Sequence, residues 1–186
     1  MFSIFFSFIL LYLSFCKILV LNFISKIYIE LIRGTPLLVQ ILIIYYVIAD
    51  SLGMQNRYVV GIFILSLFSS AYVVEIFKSG ILSINKIQIQ SAKSLGLKDY
   101  QIFVYIIFPQ AFKNVLAPLS GQFANLIKDS SLLSVISINE LTQSAKEINS
   151  YTFSTLEVYI PLAICYLILT LPILFASKYF EIIYKK

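Results

Sequence analysis

Histidine is absent from this chain of 186 residues. With it go the usual general base, the commonest metal ligand and any serine or cysteine triad that relies on imidazole. Charge is also scarce. Only 12% of residues are charged, about half the roughly 25% that a soluble domain carries to solvate its outer face. The six glycines include no Gly-x-x-x-x-Gly-Lys loop, so the chain does not cradle ATP phosphates. Two cysteines, Cys16 and Cys165, both lie in apolar runs and read as small buried hydrophobes, not as a disulfide framework or a metal knuckle. With no cluster of His, Asp or Cys to form a reaction centre, no enzyme activity, cofactor or metal is expected.

What the chain does have is apolar length. Hydrophobic residues make up 60% and the mean hydropathy is +0.92, so the solvent of its outer surface is lipid. The expectation is an all-α integral membrane protein, a single transmembrane domain over 1–186. A helix needs about 20 mostly apolar residues to cross the bilayer. Spans are expected at about 2–23, 36–52, 58–77, 112–127 and 156–175, five in all. The fourth, interrupted by Asn114, Pro118 and Gly121, reads as one that lines something, because irregular backbone at membrane depth needs protein or water to cover it. Lys17 inside the first run is expected to snorkel or to face other helices. That run is not read as a signal peptide, since no basic segment precedes it and no small-residue cleavage site follows.

The net charge of +5 points to topology, not to nucleic acid. Lys26 and Arg33 separate the first two spans, Lys78, Lys86, Lys93, Lys98 and Lys113 separate the third and fourth, and Lys178, Lys185 and Lys186 follow the last. The other connections hold Arg57, Lys128 and Lys146 among Asp50, Asp129, Glu140, Glu147 and Glu157. The positive-inside rule then puts the N-terminus outside and the C-terminus in the cytoplasm. Glu75 and Lys78, three apart on one helix face, are expected to pair.

The connection 78–109 is too long and patterned for a passive linker. Ile84, Ile87, Ala92 and Leu95 recur at near-helical spacing, predicting an amphipathic helix with one apolar stripe. Gly96 suits a left-handed helix stop, Asp99 favours the start of a second helix, and Pro109 sits where that helix enters the membrane. The pattern is a cytoplasmic helix–turn–helix elbow.

These residues resemble the permease subunits of ABC importers. Those carry Glu-Ala-Ala, three residues, Gly, nine residues, then Ile-x-Leu-Pro; here stand Gln90-Ser91-Ala92, Gly96 and Ile106-Ile107-Phe108-Pro109 at the same spacing. Departures fall at Gln90, Ser91 and Phe108. The resemblance implies that Gln90, Ser91, Ala92, Gly96 and Pro109 form the coupling loop that docks on an ATPase subunit, with small Ser91 and Ala92 allowing close approach.

Two further stretches, Tyr28 to Gln40 and Asn125 to Ile136, are similar to the polar amino-acid uptake branch of this class (glutamine, histidine or arginine type, binding-protein-dependent). Gly34 and Pro36 break the chain before the second span, and Thr35 is expected to cap it. Candidate pathway or gate residues are Arg33, Gly34, Thr35, Pro36, Gln40, Lys128, Asp129, Ser130 and Ser131. The resemblance runs from about Lys26 onward. Relatives start further upstream, so the expectation is that an N-terminal segment is missing or the start misassigned.

By this resemblance the chain is a permease of the bacterial inner membrane that works with a second permease copy or a similar chain. Two ATPase subunits, an external amino-acid-binding protein and membrane lipid are the other partners. Rival readings are a permease for methionine or an oxyanion, an ion-coupled secondary transporter, and a purely structural membrane subunit. A secondary transporter should show internal repeats and ionisable groups near midspan; no repeat is evident here.

Overall fold

The computed structural model describes residues 2–15 and 18–184. Cys16 and Lys17, like Lys185 and Lys186, lie outside the described residues. The described residues form eight helical stretches: α1 Phe2–Phe15, α2 Leu19–Gly34, α3 Leu37–Ala49, α4 Arg57–Leu82, α5 Lys86–Ser94, α6 Asp99–Ile136, α7 Leu141–Thr152 and α8 Thr155–Tyr184. No strand occurs among the described residues.

The apolar runs predicted as spans become helices, with corrected bounds. Among the described residues α4, α6 and α8 are long and apolar enough to cross a membrane. The α2–α3 pair makes a fourth if its two halves, bent by 109°, count as one span. The first expected span, 2–23, is divided: α1 ends at Phe15 and α2 begins at Leu19. At 14 residues α1 falls short of the roughly 20 that a crossing needs.

The fourth span also differs. Its helix runs unbroken from Asp99 to Ile136, through Asn114, Pro118 and Gly121. The non-helical parts of the expected 78–109 loop therefore shrink to the short connections on either side of α5. Two local distortions absorb strain in α6. Pro109 has no N–H to give and its ring crowds the preceding turn, and the five residues Phe103–Ile107 before it widen into a π-type turn. The Phe108 N–H accordingly bonds the Phe103 carbonyl. At the far end Ser130–Ile136 tightens to a 3-10 turn and stops at Ser137, φ 55°.

Helix ends are set by local chemistry. The Asn56 side chain accepts from the N–H groups of Tyr58 and Val59 to start α4. Glu140 does the same for α7 from Thr142 and Gln143, and it also accepts from the Tyr166 hydroxyl of α8 at 2.8 Å. Such caps satisfy N–H groups that have no partner within the helix.

Helix α4 is the centre of the fold, contacted by α1, α2, α3 and α6, while α8 packs against α6 and α7. One apolar cluster joins Leu37 and Ile41 of α3 to Val60, Ile64 and Phe68 of α4 and to Leu133, Ile136 and Ile138. A smaller one joins Ile29 to Ala71 and Val74. Over half (56%) of the apolar window of α4 is buried, against 6% for α8. Lipid or another chain must cover the remainder of α8.

Candidate functional site

Polar chemistry gathers in two places: the α5 elbow, and a groove walled by α2, α4 and α6.

Helix α5 begins at Asn85, whose side chain accepts from the Ile87 N–H at 2.9 Å. It ends in a Schellman motif. Gly96 adopts φ +79°, its N–H bonds the Lys93 carbonyl at 2.9 Å, and the Leu97 N–H bonds that of Ala92 at 3.2 Å. This is the left-handed stop read from the sequence. Gln101 then accepts from the Lys98 N–H at 2.9 Å at the start of α6. Lys93 and Asp99 pair across the turn at 3.1 Å with both side chains exposed, an arrangement worth little by itself.

The apolar stripe is not one face. Ile84 lies before α5 and is buried, as is Ala92. Ile87 is 66% and Leu95 81% exposed. Ala92 therefore faces the chain's own helices, and its small size serves to seat α5. Gln90 and Ser91, by contrast, stand exposed. Gln110 of α6 donates to the Gln88 side chain at 3.0 Å and ties α5 down. Pro109 lies inside α6, not on the elbow's exposed face.

At the α2–α3 bend, the Thr35 hydroxyl donates to the Leu31 carbonyl at 2.7 Å. It therefore closes the end of α2. It does not cap α3, where Pro36 stands at the N-cap without a side-chain bond. Gln40, buried in α3, holds the bend: its Nε2 donates to the Ile32 carbonyl at 2.8 Å and to the carbonyl and hydroxyl oxygens of Thr35 at 3.1 and 2.8 Å. Carbonyls left over at the end of α2 thus find a partner from the next helix. Gly34 has open space where a Cβ would project.

Beside this bend runs the groove, about 530 Å³, lined by Arg33, Tyr72, Glu75, Ser79, Asn114 and Pro118 among others. The expected Glu75–Lys78 pair is present at 3.3 Å. Arg33, from α2, joins it: Nη1 lies 3.2 Å from the second Glu75 oxygen, and the guanidinium carbon sits 5.7 Å from the centroid of the Tyr72 ring. Glu75 is about 10 Å from the Leu82 end of α4, at 1.5 Å per residue. Glu75 and Lys78 therefore lie toward the Leu82 end of a helix long and apolar enough to cross the membrane, and Arg33 reaches them from the end of α2. Asn114 donates to the Ser83 hydroxyl at 2.8 Å, and Ser83 donates to the Gly80 carbonyl at 2.8 Å. A second cleft of about 470 Å³, between α6 and α8, shares Asn114 and Pro118 with the groove. The polar interruptions in α6 do line openings.

The structure brings Arg33 into this groove but not Lys128, Asp129, Ser130 or Ser131. Those four sit where α6 tightens, about 15 Å beyond Pro118 along the helix, and the Ser130 hydroxyl simply returns to the Ile127 carbonyl. Lys128 and Asp129 form no ion pair within 4 Å among the described residues. Sequence reasoning missed the Arg33–Glu75 contact and Gly80. A Cβ on Gly80 would lie 2.4 Å from a Val115 methyl and 3.2 Å from the Ala111 carbonyl, so only glycine lets α4 and α6 meet here.

Comparisons with known proteins bear on this arrangement. Residues 3–182 match the model of a family described as binding-protein-dependent transport system inner membrane component. The probable glutamine ABC transporter permease protein of Bacillus subtilis is 35% identical over 161 residues, 87% of this chain and 74% of that protein. The glutamine transport system permease protein of Escherichia coli K12 is 34% identical over 162 residues, 86% of this chain and 74% of that one. An arginine transport system permease protein of Bacillus subtilis is 33% identical over 173 residues, 91% and 79% of the two chains. Among solved structures, a chain of an amino acid ABC transporter crystallised with histidines superposes with a TM-score of 0.89 and 34% identity. That match covers 99% of this chain and 85% of the other.

Proposed function

As the chain belongs to the binding-protein-dependent transport system inner membrane component family, we propose that it is the permease subunit of an ATP-driven importer of polar amino acids, with glutamine the foremost cargo. The relatives named for glutamine and arginine support an amino-acid cargo. The single observation that most supports ATP coupling is α5. It is a short helix seated by Ala92 and Gln88 and stopped at Gly96, and it presents Gln90, Ser91 and Ile87 outward. This is the surface on which an ATPase subunit would dock.

In this reading the chain is one permease domain that pairs with a second copy or a similar permease over two ATPase subunits. An external binding protein delivers the amino acid. ATP binding and hydrolysis in the partners shift the pair between outward-open and inward-open states. The solute contributes only through its differential affinity for those states. The groove at Arg33, Tyr72, Glu75 and Asn114 is the inner part of the pathway. Gln40, Thr35 and Pro36 fix the bend that carries Arg33, while Lys128, Asp129, Ser130 and Ser131 serve the outer part.

The distribution of basic residues supports an orientation in which α5, with Lys86, Lys93 and Lys98, lies in the cytoplasm, and Asp50, Arg57, Glu147 and Glu157 lie outside. Single cysteines at these positions, with Cys16 and Cys165 replaced, test this by labelling intact cells with an impermeant thiol reagent. Labelling is expected at 147 and not at 93; labelling at 93 in sealed cells would overturn both the topology and the docking face.

Gly96→Val should weaken the elbow. A Cβ there meets open space, so the cost is one of backbone strain, about 1–2 kcal/mol for a residue held left-handed and highest for a β-branched one. Recovery of the ATPase subunit on purified permease is expected to fall at least by half, with membrane insertion unchanged. Undiminished recovery would remove Gly96 from the docking account.

A further inference from the structure

We propose that Arg33 is a recognition residue for the free carboxylate of the transported solute; this rests on the importer reading above and assigns the chemistry of its inner groove. The argument begins with charge. Glu75 supplies one negative charge, and Arg33 and Lys78 supply two positive ones. A single cation would suffice to neutralise Glu75. The second leaves the cluster with a net positive charge that faces the groove, Arg33 being 44% exposed, and an anion entering the groove would compensate it.

Geometry selects Arg33 as the partner of that anion. Lys78 takes one Glu75 oxygen and Arg33 takes the other through Nη1 alone. A guanidinium has five N–H donors in a planar fork, so most of that fork remains for an incoming group. Tyr72 beneath the guanidinium carbon holds the plane by cation–π attraction, and the Gln40-stitched bend holds the backbone that carries it. A planar fork matches a carboxylate, which it can bind through two parallel N–H···O bonds. Asn114 and Ser79 add neutral polar groups to the wall. The groove's volume of about 530 Å³ is in the range of small-molecule sites.

The test uses the permease purified with its ATPase subunit in nanodiscs of phosphatidylcholine, with labelled L-glutamine as the probe. Two competitors each lack one charged end: glutaramic acid keeps the carboxylate and 4-aminobutanamide does not. Glutamine should be displaced by the first and not by the second. Arg33→Gln should weaken glutamine binding by about tenfold or more, the equivalent of losing a charged hydrogen bond. Arg33→Lys should restore only part of it, since lysine offers charge without the fork.

ATP hydrolysis by the complex reports whether each variant assembles. If Arg33→Gln does not assemble, the competition series on the unaltered complex decides alone. Competition by 4-aminobutanamide equal to that by glutaramic acid would overturn the proposal. So would glutamine binding untouched by Arg33→Gln while added phosphatidylglycerol stabilises only the unaltered complex, which would mark a lipid-phosphate site. ATP-driven uptake by vesicles holding the complex and the external binding protein, together with carboxylate-indifferent binding, would sink this proposal alone. Vesicles that show no ATP-driven amino-acid uptake would sink the importer reading with it.

Discussion

Ala92→Arg is expected to abolish ATP-driven uptake while leaving the chain inserted in the membrane. Residue 92 is 3% exposed on the inner side of α5, beside the carbonyl that closes the Schellman motif at its end. An arginine here must either be buried without a partner, which is strongly unfavourable, or lift α5 off α6. The estimated penalty, about 3–5 kcal/mol, exceeds what one short helix is expected to recover from the Gln88–Gln110 bond and the Lys93–Asp99 pair. Helix α5 should therefore leave its seat. Limited proteolysis of the purified permease without its ATPase subunit would show this as faster cleavage in the 83–98 segment. Ser91→Arg, on the exposed face, should leave that cleavage unchanged and act only on ATPase recovery. Equal proteolysis of the two variants would mean that residue 92 is not part of the seat.

Gly80→Val should cost the transmembrane packing itself. The added atoms would meet Val115 at 2.4 Å and the Ala111 backbone at 3.2 Å, and Val115 is itself buried at 2% exposure, so neither neighbour has room to yield. Overpacking of this kind costs roughly 1–3 kcal/mol, sometimes more. Because Gly80 also lines the Arg33 groove, uptake should fall along with thermal stability. Gly61 provides the contrast. Its Cβ would meet first the Cδ1 of Ile138 at 2.5 Å, the far end of a flexible side chain, so Gly61→Ala should be tolerated. Thermal unfolding in detergent, followed by a thiol-reactive dye, measures both; a midpoint for Gly80→Val equal to that of the unaltered chain would refute the close α4–α6 approach.

Features read correctly from the sequence are those whose cause lies within a few residues. Gly96 ends α5 because a left-handed position follows a short helix, and Glu75 meets Lys78 because positions three apart share a helix face. Apolar run length located α4 and α8. Hydropathy was less informative for α6, where Asn114, Pro118 and Gly121 lower the average along a helix that packs against α4 and α8. Nor did it show the break before α2, since the run is apolar on both sides of Lys17.

Long-range placement left no local trace. Arg33 reaches Glu75 across 42 positions because α2 packs against α4, and nothing in either segment announces the other. The stripe of Ile84, Ile87, Ala92 and Leu95 had a helical spacing. Its phase depended on α5 starting at Lys86 and on what lay beneath it, so two of its four members turned outward. Thr35 was assigned to the wrong helix for a related reason: its hydroxyl had an unpaired carbonyl behind it at Leu31 as well as free N–H groups ahead.

The most direct test of the account is the energy source. Vesicles reconstituted with the permease, its ATPase subunit and the external binding protein are assayed for labelled L-glutamine uptake, once with ATP on the ATPase side and once with only a proton or sodium gradient. Accumulation with ATP alone, lost in Ala92→Arg, is the predicted result; accumulation by the permease alone on the gradient, indifferent to Ala92→Arg, would contradict it.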